Sequence, residues 1–81
     1  MKIRLTDGAI EQYRGLTQSL QKKTDKQFEF LLKDVRHLSL NIKKYKGYEN
    51  LWQGRIDKGY RFYFHIVEPH YIIVSIIDHP K

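Results

Sequence analysis

Cysteine is absent from the 81 residues, so neither disulfides nor thiolate metal sites help hold this chain together. That absence fits a reducing compartment. No apolar run approaches the ~20 residues that a membrane span needs. The chain goes straight into Met1-Lys2-Ile3-Arg4-Leu5-Thr6-Asp7, with no signal-peptide apolar region. A soluble, cytoplasmic protein with no membrane partner is the expectation. Internal repeats, linkers and low-complexity tracts are also missing, so 1–81 is expected to form a single domain with one core and little to spare. Negative charge is scarce, with 9 Asp+Glu against 15 Lys+Arg and a net charge of +6. Such an excess points to an acidic or polyanionic partner, the alternative being a well-solvated surface.

Apolar residues make up 41% of the chain, enough to argue against disorder. Lys2–Thr6 reads as a first strand. Thr6 or Asp7 can cap a helix running to Leu20, with Ile10, Tyr13, Leu16 and Leu20 on one face. Thr24-Asp25-Lys26-Gln27 has the capping-box pattern and predicts the start of a second helix. Phe28, Leu31, Leu32, Val35 and Leu38 form its expected core stripe. Residues 41–50 read as a basic loop in which Lys43, Lys44 and Lys46 alternate with Tyr45 and Tyr48. Cations for phosphates and rings for bases are what a single-stranded nucleic acid requires; a solvated connector is the other reading.

Three strand-like runs follow, Leu51–Ile56, Tyr60–Val67 and Tyr71–Ile77, rich in aromatic and β-branched residues. The order β-α-α-β-β-β predicts an α+β fold, a two-helix hairpin packed on an antiparallel four-stranded sheet. Side chains alternate between the faces of a strand. Trp52, Ile56, Tyr60, Phe62, Phe64 and Ile66 then face the helices, while Gln53, Arg55, Arg61, Tyr63 and His65 face outward. A three-residue turn at Asp57-Lys58-Gly59 pairs Arg55 with Arg61. Pro69 cannot be the first residue of a primed two-residue turn, so a three-residue loop is expected there. That loop brings His79 beside the arginines. A loop of even length would bring Asp78 to Arg61 instead. Two guanidiniums held together repel until an anion sits between them, and their planar forks match phosphate oxygens. Outward spreading to Glu49, Asp57 and Glu68 is the alternative.

The hairpin Trp-x-x-Arg-Ile … Tyr-Arg, formed by Trp52, Arg55, Ile56, Tyr60 and Arg61, together with the closing His79, resembles the RelE/ParE superfamily of type II toxins over nearly the whole chain. The resemblance implies a small toxin neutralised by a cognate antitoxin. Its RelE and YoeB branches are ribosome-dependent endoribonucleases (mRNA interferases) that cut mRNA without metal or other cofactor, the ribose 2′-hydroxyl attacking the adjacent phosphate. On that reading Arg61 stabilises charge on the phosphate, Arg55 is a neighbouring basic position, and His79 is the general acid. Lys43, Lys44, Lys46, Lys58 and Lys81 are expected to hold RNA or ribosome. RelE-like members carry lysines on the strand before the hairpin, one of them the base; Trp52 and Gly54 occupy those positions here, and no base is assigned. The ParE branch, which poisons DNA gyrase, is the alternative, as is a weakened homologue that only binds its antitoxin.

Overall fold

The computed structural model describes residues 1–79. Its elements are β1 (Lys2–Leu5), α1 (Asp7–Arg14), α2 (Gln18–Lys33), a 3-10 turn (Leu38–Leu40), β2 (Lys43–Lys44), β3 (Trp52–Arg55), β4 (Tyr60–Val67) and β5 (His70–Asp78). The class is α+β as expected, but the sheet is not the four-stranded antiparallel one. Among the described residues it has five strands in the order β1-β5-β4-β3-β2. β1 runs parallel to β5, and Lys43–Lys44, expected as loop, adds a short antiparallel strand to β3. Strand direction depends on which edge a segment returns to, and nothing local in Lys2–Leu5 encodes that.

The helix boundary also lies elsewhere. α1 stops at Arg14, and Thr17 caps α2 by accepting a hydrogen bond from the Leu20 N–H (3.2 Å). Thr24 is not a cap. It lies inside α2, fully buried, with its hydroxyl donating to the Leu20 carbonyl one turn back (2.8 Å). Because α2 starts earlier and ends at Lys33, its buried face is Thr24, Gln27 and Leu31. Leu32 and Leu38, expected in the core, are exposed, Leu38 at 93%. Tyr13 ties the helices together, its hydroxyl donating to Asp25 (2.7 Å) while its carbonyl accepts from Gln21 (3.0 Å).

The helices cover one face of the sheet. Ala9, Leu31, Leu40, Ile56, Phe62, Phe64, Tyr71, Ile73 and Ile76 form the core, with Trp52 and Tyr60 packed against it. Trp52 therefore lies on the core face, opposite Phe64. Gly54 stands opposite Phe62, whose ring occupies the space a side chain would need; a Cβ on Gly54 would lie 2.2 Å from the Phe62 Cζ. No helix among the described residues is long and apolar enough to cross a membrane.

Candidate functional site

Arg55 pairs directly with Arg61, and Gln53 with Tyr63, as the turn length predicted. The β4–β5 connection reaches the same parity by a different route. It has two residues, Glu68 and Pro69, joined by a cis peptide bond, not the expected three. Taken alone, that loop would turn the wrong face of β5 outward. A bulge corrects it: Tyr63 pairs with Ser75 but Phe64 with Ile73, leaving Val74 as an extra residue. Below the bulge Arg61 lies opposite Ile77 and Asp78 opposite Tyr60, so the register that would bring Asp78 to Arg61 does not form. The His79 N–H donates to the Gly59 carbonyl (2.7 Å), which extends the ladder by one step and places His79 diagonal to Arg61. Arg55, Arg61 and His79 thus gather at one end of the outer face.

The turn holds Arg61 from below. Its Nη1 donates to the carbonyls of Asp57 (2.6 Å) and Tyr60 (2.9 Å). A guanidinium has five N–H groups, so Nε and Nη2 keep donors for an anion while the group itself is oriented. The Asp57 carboxylate is occupied elsewhere. It accepts from the Gly59 (2.8 Å) and Tyr60 (3.0 Å) N–H groups and pairs with Lys23 (3.3 Å). Burial opposes its ionisation, but the Gly59 N–H, Lys23 and the Tyr60 N–H together outweigh burial and hold the carboxyl below the usual carboxylate range. Among the described residues neither arginine forms an ion pair. Gln27 supports the other side: its buried amide donates to the Arg55 carbonyl (2.7 Å) and the Ser39 carbonyl (3.1 Å). A glutamine in the middle of the α2 stripe was the one signal of this strut in the sequence.

The rest of the outer face mixes cations and rings with aliphatic side chains, Ile77 standing opposite Arg61 and Ile72 opposite His65. Lys43 pairs with Gln53 and so shares the face of the arginines, one row away. Lys44 pairs with Trp52 and has the opposite parity. Lys46 lies in the following loop and Lys58 in the hairpin turn, both exposed; Lys81 lies outside the described residues. Arg4, opposite Ile72 on β5, adds a cation at the far edge. The strand positions of this face carry no carboxylate. The ring of Tyr63 meets that of Tyr45 edge-on (centroids 5.5 Å). Burial, and then Tyr45, push the Tyr63 hydroxyl above its ordinary pKa, with Arg61 opposing. A cavity of ≈ 470 Å³ lined by Val35, Ile42, Trp52 and Ile66 opens on the core side, away from the arginines.

No family model and no curated protein sequence matches the chain. Solved structures do. The chain is similar to a YoeB/ParE toxin from Agrobacterium tumefaciens at a TM-score of 0.84 and 16% identity, covering 99% of this chain and 100% of that one. It is similar to the YoeB dimer of Staphylococcus aureus at 0.73 and 26% identity, covering 99% and 98%. The intact E. coli RelBE toxin–antitoxin complex matches at 0.78 and 14% identity, covering 99% and 98%.

Proposed function

We propose that this chain, which has the fold of the RelE/ParE toxin superfamily, is the toxin of a toxin–antitoxin pair and cuts mRNA on the ribosome. The observation that carries the reading is the direct pairing of Arg55 with Arg61 on a face whose strand positions carry no carboxylate. Like charges opposite one another on a ladder are destabilising, and a phosphate between them turns repulsion into bidentate recognition. Attack of a ribose 2′-hydroxyl on the adjacent phosphate builds negative charge on its non-bridging oxygens. Arg61, oriented by the turn carbonyls, meets that charge without reorganising. Arg55 assists across the ladder. The P–O2′ bond forms as the P–O5′ bond breaks; His79 protonates the departing 5′-oxygen, and the 2′-hydroxyl proton passes to solvent water, no side chain here being assigned as its base. Lys43, Lys44, Lys46 and Lys58 contribute affinity rather than chemistry. Relatives solved as toxin–antitoxin complexes support a cognate antitoxin as partner.

Wild type, Arg61→Ala and His79→Ala, expressed in cells whose mRNA 5′ ends are then mapped, test this. Ribosome-dependent cuts that vanish in Arg61→Ala are the expected result. One observation favours a second reading, a gyrase inhibitor: Trp52 and Gly54, at the positions where RelE-like members carry lysines, share the core-facing parity of β3, so neither supplies a base. Growth arrest with intact mRNA and inhibited supercoiling would transfer the function to that reading.

A further inference from the structure

The loop between β2 and β3 carries more aromatic surface than packing needs. Tyr45 rests its ring against Tyr63 (centroids 5.5 Å, 86°) and against Tyr48 (5.5 Å, 44°). Tyr45 is 40% exposed and Tyr48 60%, so the outer rings of the cluster face water. The loop is held in place all the same. The Tyr45 N–H donates to the Leu51 carbonyl (2.7 Å). Asn50, in the left-handed region at φ 51°, grips Ile66 through both ends of its amide, donating to the carbonyl (2.9 Å) and accepting from the N–H (3.1 Å). A cavity of ≈ 520 Å³ opens along the loop, lined by Lys44, Tyr45, Lys46, Gly47, Tyr48 and Glu49. Tyr63 lies two residues along β4 from Arg61 on the same face, a rise of about 6.8 Å. That step is on the order of one nucleotide of an extended strand.

We infer that Tyr45 and Tyr48 form a stacking shelf for the base of a nucleotide adjoining the phosphate held between Arg55 and Arg61, with Tyr63 as the ring that fixes Tyr45 in place. The inference rests on the nucleic-acid reading above and adds to it a base subsite outside the phosphate clamp. Exposed rings beside lysines suit a single-stranded nucleic acid, because every base has a π-face and the backbone needs cations. Glu49 is the one carboxylate lining the cavity; its repulsion of the backbone favours insertion of the base rather than the phosphate. A run of carboxylates alone finds the lysines but brings no flat surface to the rings.

The test is equilibrium binding, by fluorescence anisotropy, of a ten-nucleotide 2′-O-methyl RNA. This oligonucleotide has no free 2′-hydroxyl and cannot be cut, so the result is independent of catalysis. Wild type, Tyr45→Leu and Tyr48→Leu are compared on the intact oligonucleotide and on copies with a single abasic site at each position in turn. Tyr48 is the more exposed ring, so its variant keeps the test valid if Tyr45→Leu unfolds; thermal melts establish which variants are folded. Each leucine variant is expected to bind about 5- to 150-fold more weakly, the range that a base–aromatic stack represents. One abasic position should cost wild type a similar factor and cost the leucine variants nothing. Equal affinity of wild type and Tyr48→Leu, indifference of wild type to every abasic site, or no binding of the oligonucleotide at all would overturn the shelf. Tyrosine-dependent binding of polyglutamate in place of RNA would also overturn it, in favour of a peptide site. Tyrosine-dependent RNA binding without mRNA cleavage would leave the shelf standing and sink only the nuclease.

Discussion

Arg61 divides its donors between the turn and the outer face, so its replacement should separate chemistry from stability. On the nuclease reading, Arg61→Ala is expected to lower cleavage by ~10²–10³, read from the mapped 5′ ends, while the loss of two turn hydrogen bonds costs about 1 kcal/mol each. Arg61→Lys keeps the charge but not the fork and should recover little of the rate. Gly54 makes a separate prediction, because the Phe62 ring fills the place of its side chain. Gly54→Ala should cost ~1–3 kcal/mol by overpacking, measured by thermal denaturation, and Phe62→Leu in the same chain should return part of that loss. Asp57 governs the acid side. Its folded pKa lies below its ordinary value, so its contribution to stability is in place above the ordinary carboxylate range and is lost as pH falls through the lower folded value. Asp57→Asn should flatten the fall in melting temperature as the pH drops through and below the ordinary carboxylate range. An unchanged slope would mean that Asp57 is not the group responsible.

At the scale of elements the helical half of the chain turns on which threonine caps α2. Thr17 accepts from the Leu20 N–H, and Thr17→Ala is expected to cost ~1 kcal/mol in a urea titration. The capping-box pattern at Thr24 is a good local signal that lost to a better arrangement. Gly15 and Thr17 end α1 early, and the uninterrupted α2 then buries Gln27 where it can reach the Arg55 and Ser39 carbonyls. Gln27→Leu should keep the volume but leave the Arg55 carbonyl without its donor, so it is expected to destabilise β3 and weaken activity more than Leu32→Ala, which touches an exposed site. In β5 the Val74 bulge plays the corresponding part, because without it Ile76 and Ile77 would exchange faces. Gln12 caps the edge of β5 beyond its pairing with β1, accepting from the Ile76 N–H (2.8 Å).

For the whole molecule, the +6 charge and an outer face without strand carboxylates predict how a partner arrives. On the proposed toxin reading, association with an acidic antitoxin should be steered electrostatically and slow by tenfold or more between low and high salt. A rate indifferent to salt would mean that the basic face is not what the partner meets. Trp52 belongs to the opposite face, packed at the margin of the core. Trp52→Ala is expected to cost ~3 kcal/mol, the lower part of the range for a core aromatic, and to lose toxicity through unfolding rather than chemistry. Stability intact with toxicity abolished would place Trp52 in the site instead.

The two-residue alternation of β3 and β4 and the three-residue turn between them are local properties. For that reason the pairing of Arg55 with Arg61, the inward Trp52 and the outward Tyr63 could be read from residues alone. Parity along a strand does not depend on what the strand packs against. Everything that required a second segment was decided in three dimensions. The parallel pairing of β1 with β5 followed from the return of the chain across the helices. The addition of Lys43–Lys44 as an edge strand followed from hydrogen bonds that only β3 could offer. His79 reached the arginine end through an even loop and a bulge, two departures from the expected course that cancel. A loop length and a bulge are set by which backbone groups find partners across the sheet, and no window of sequence contains both sides of that exchange.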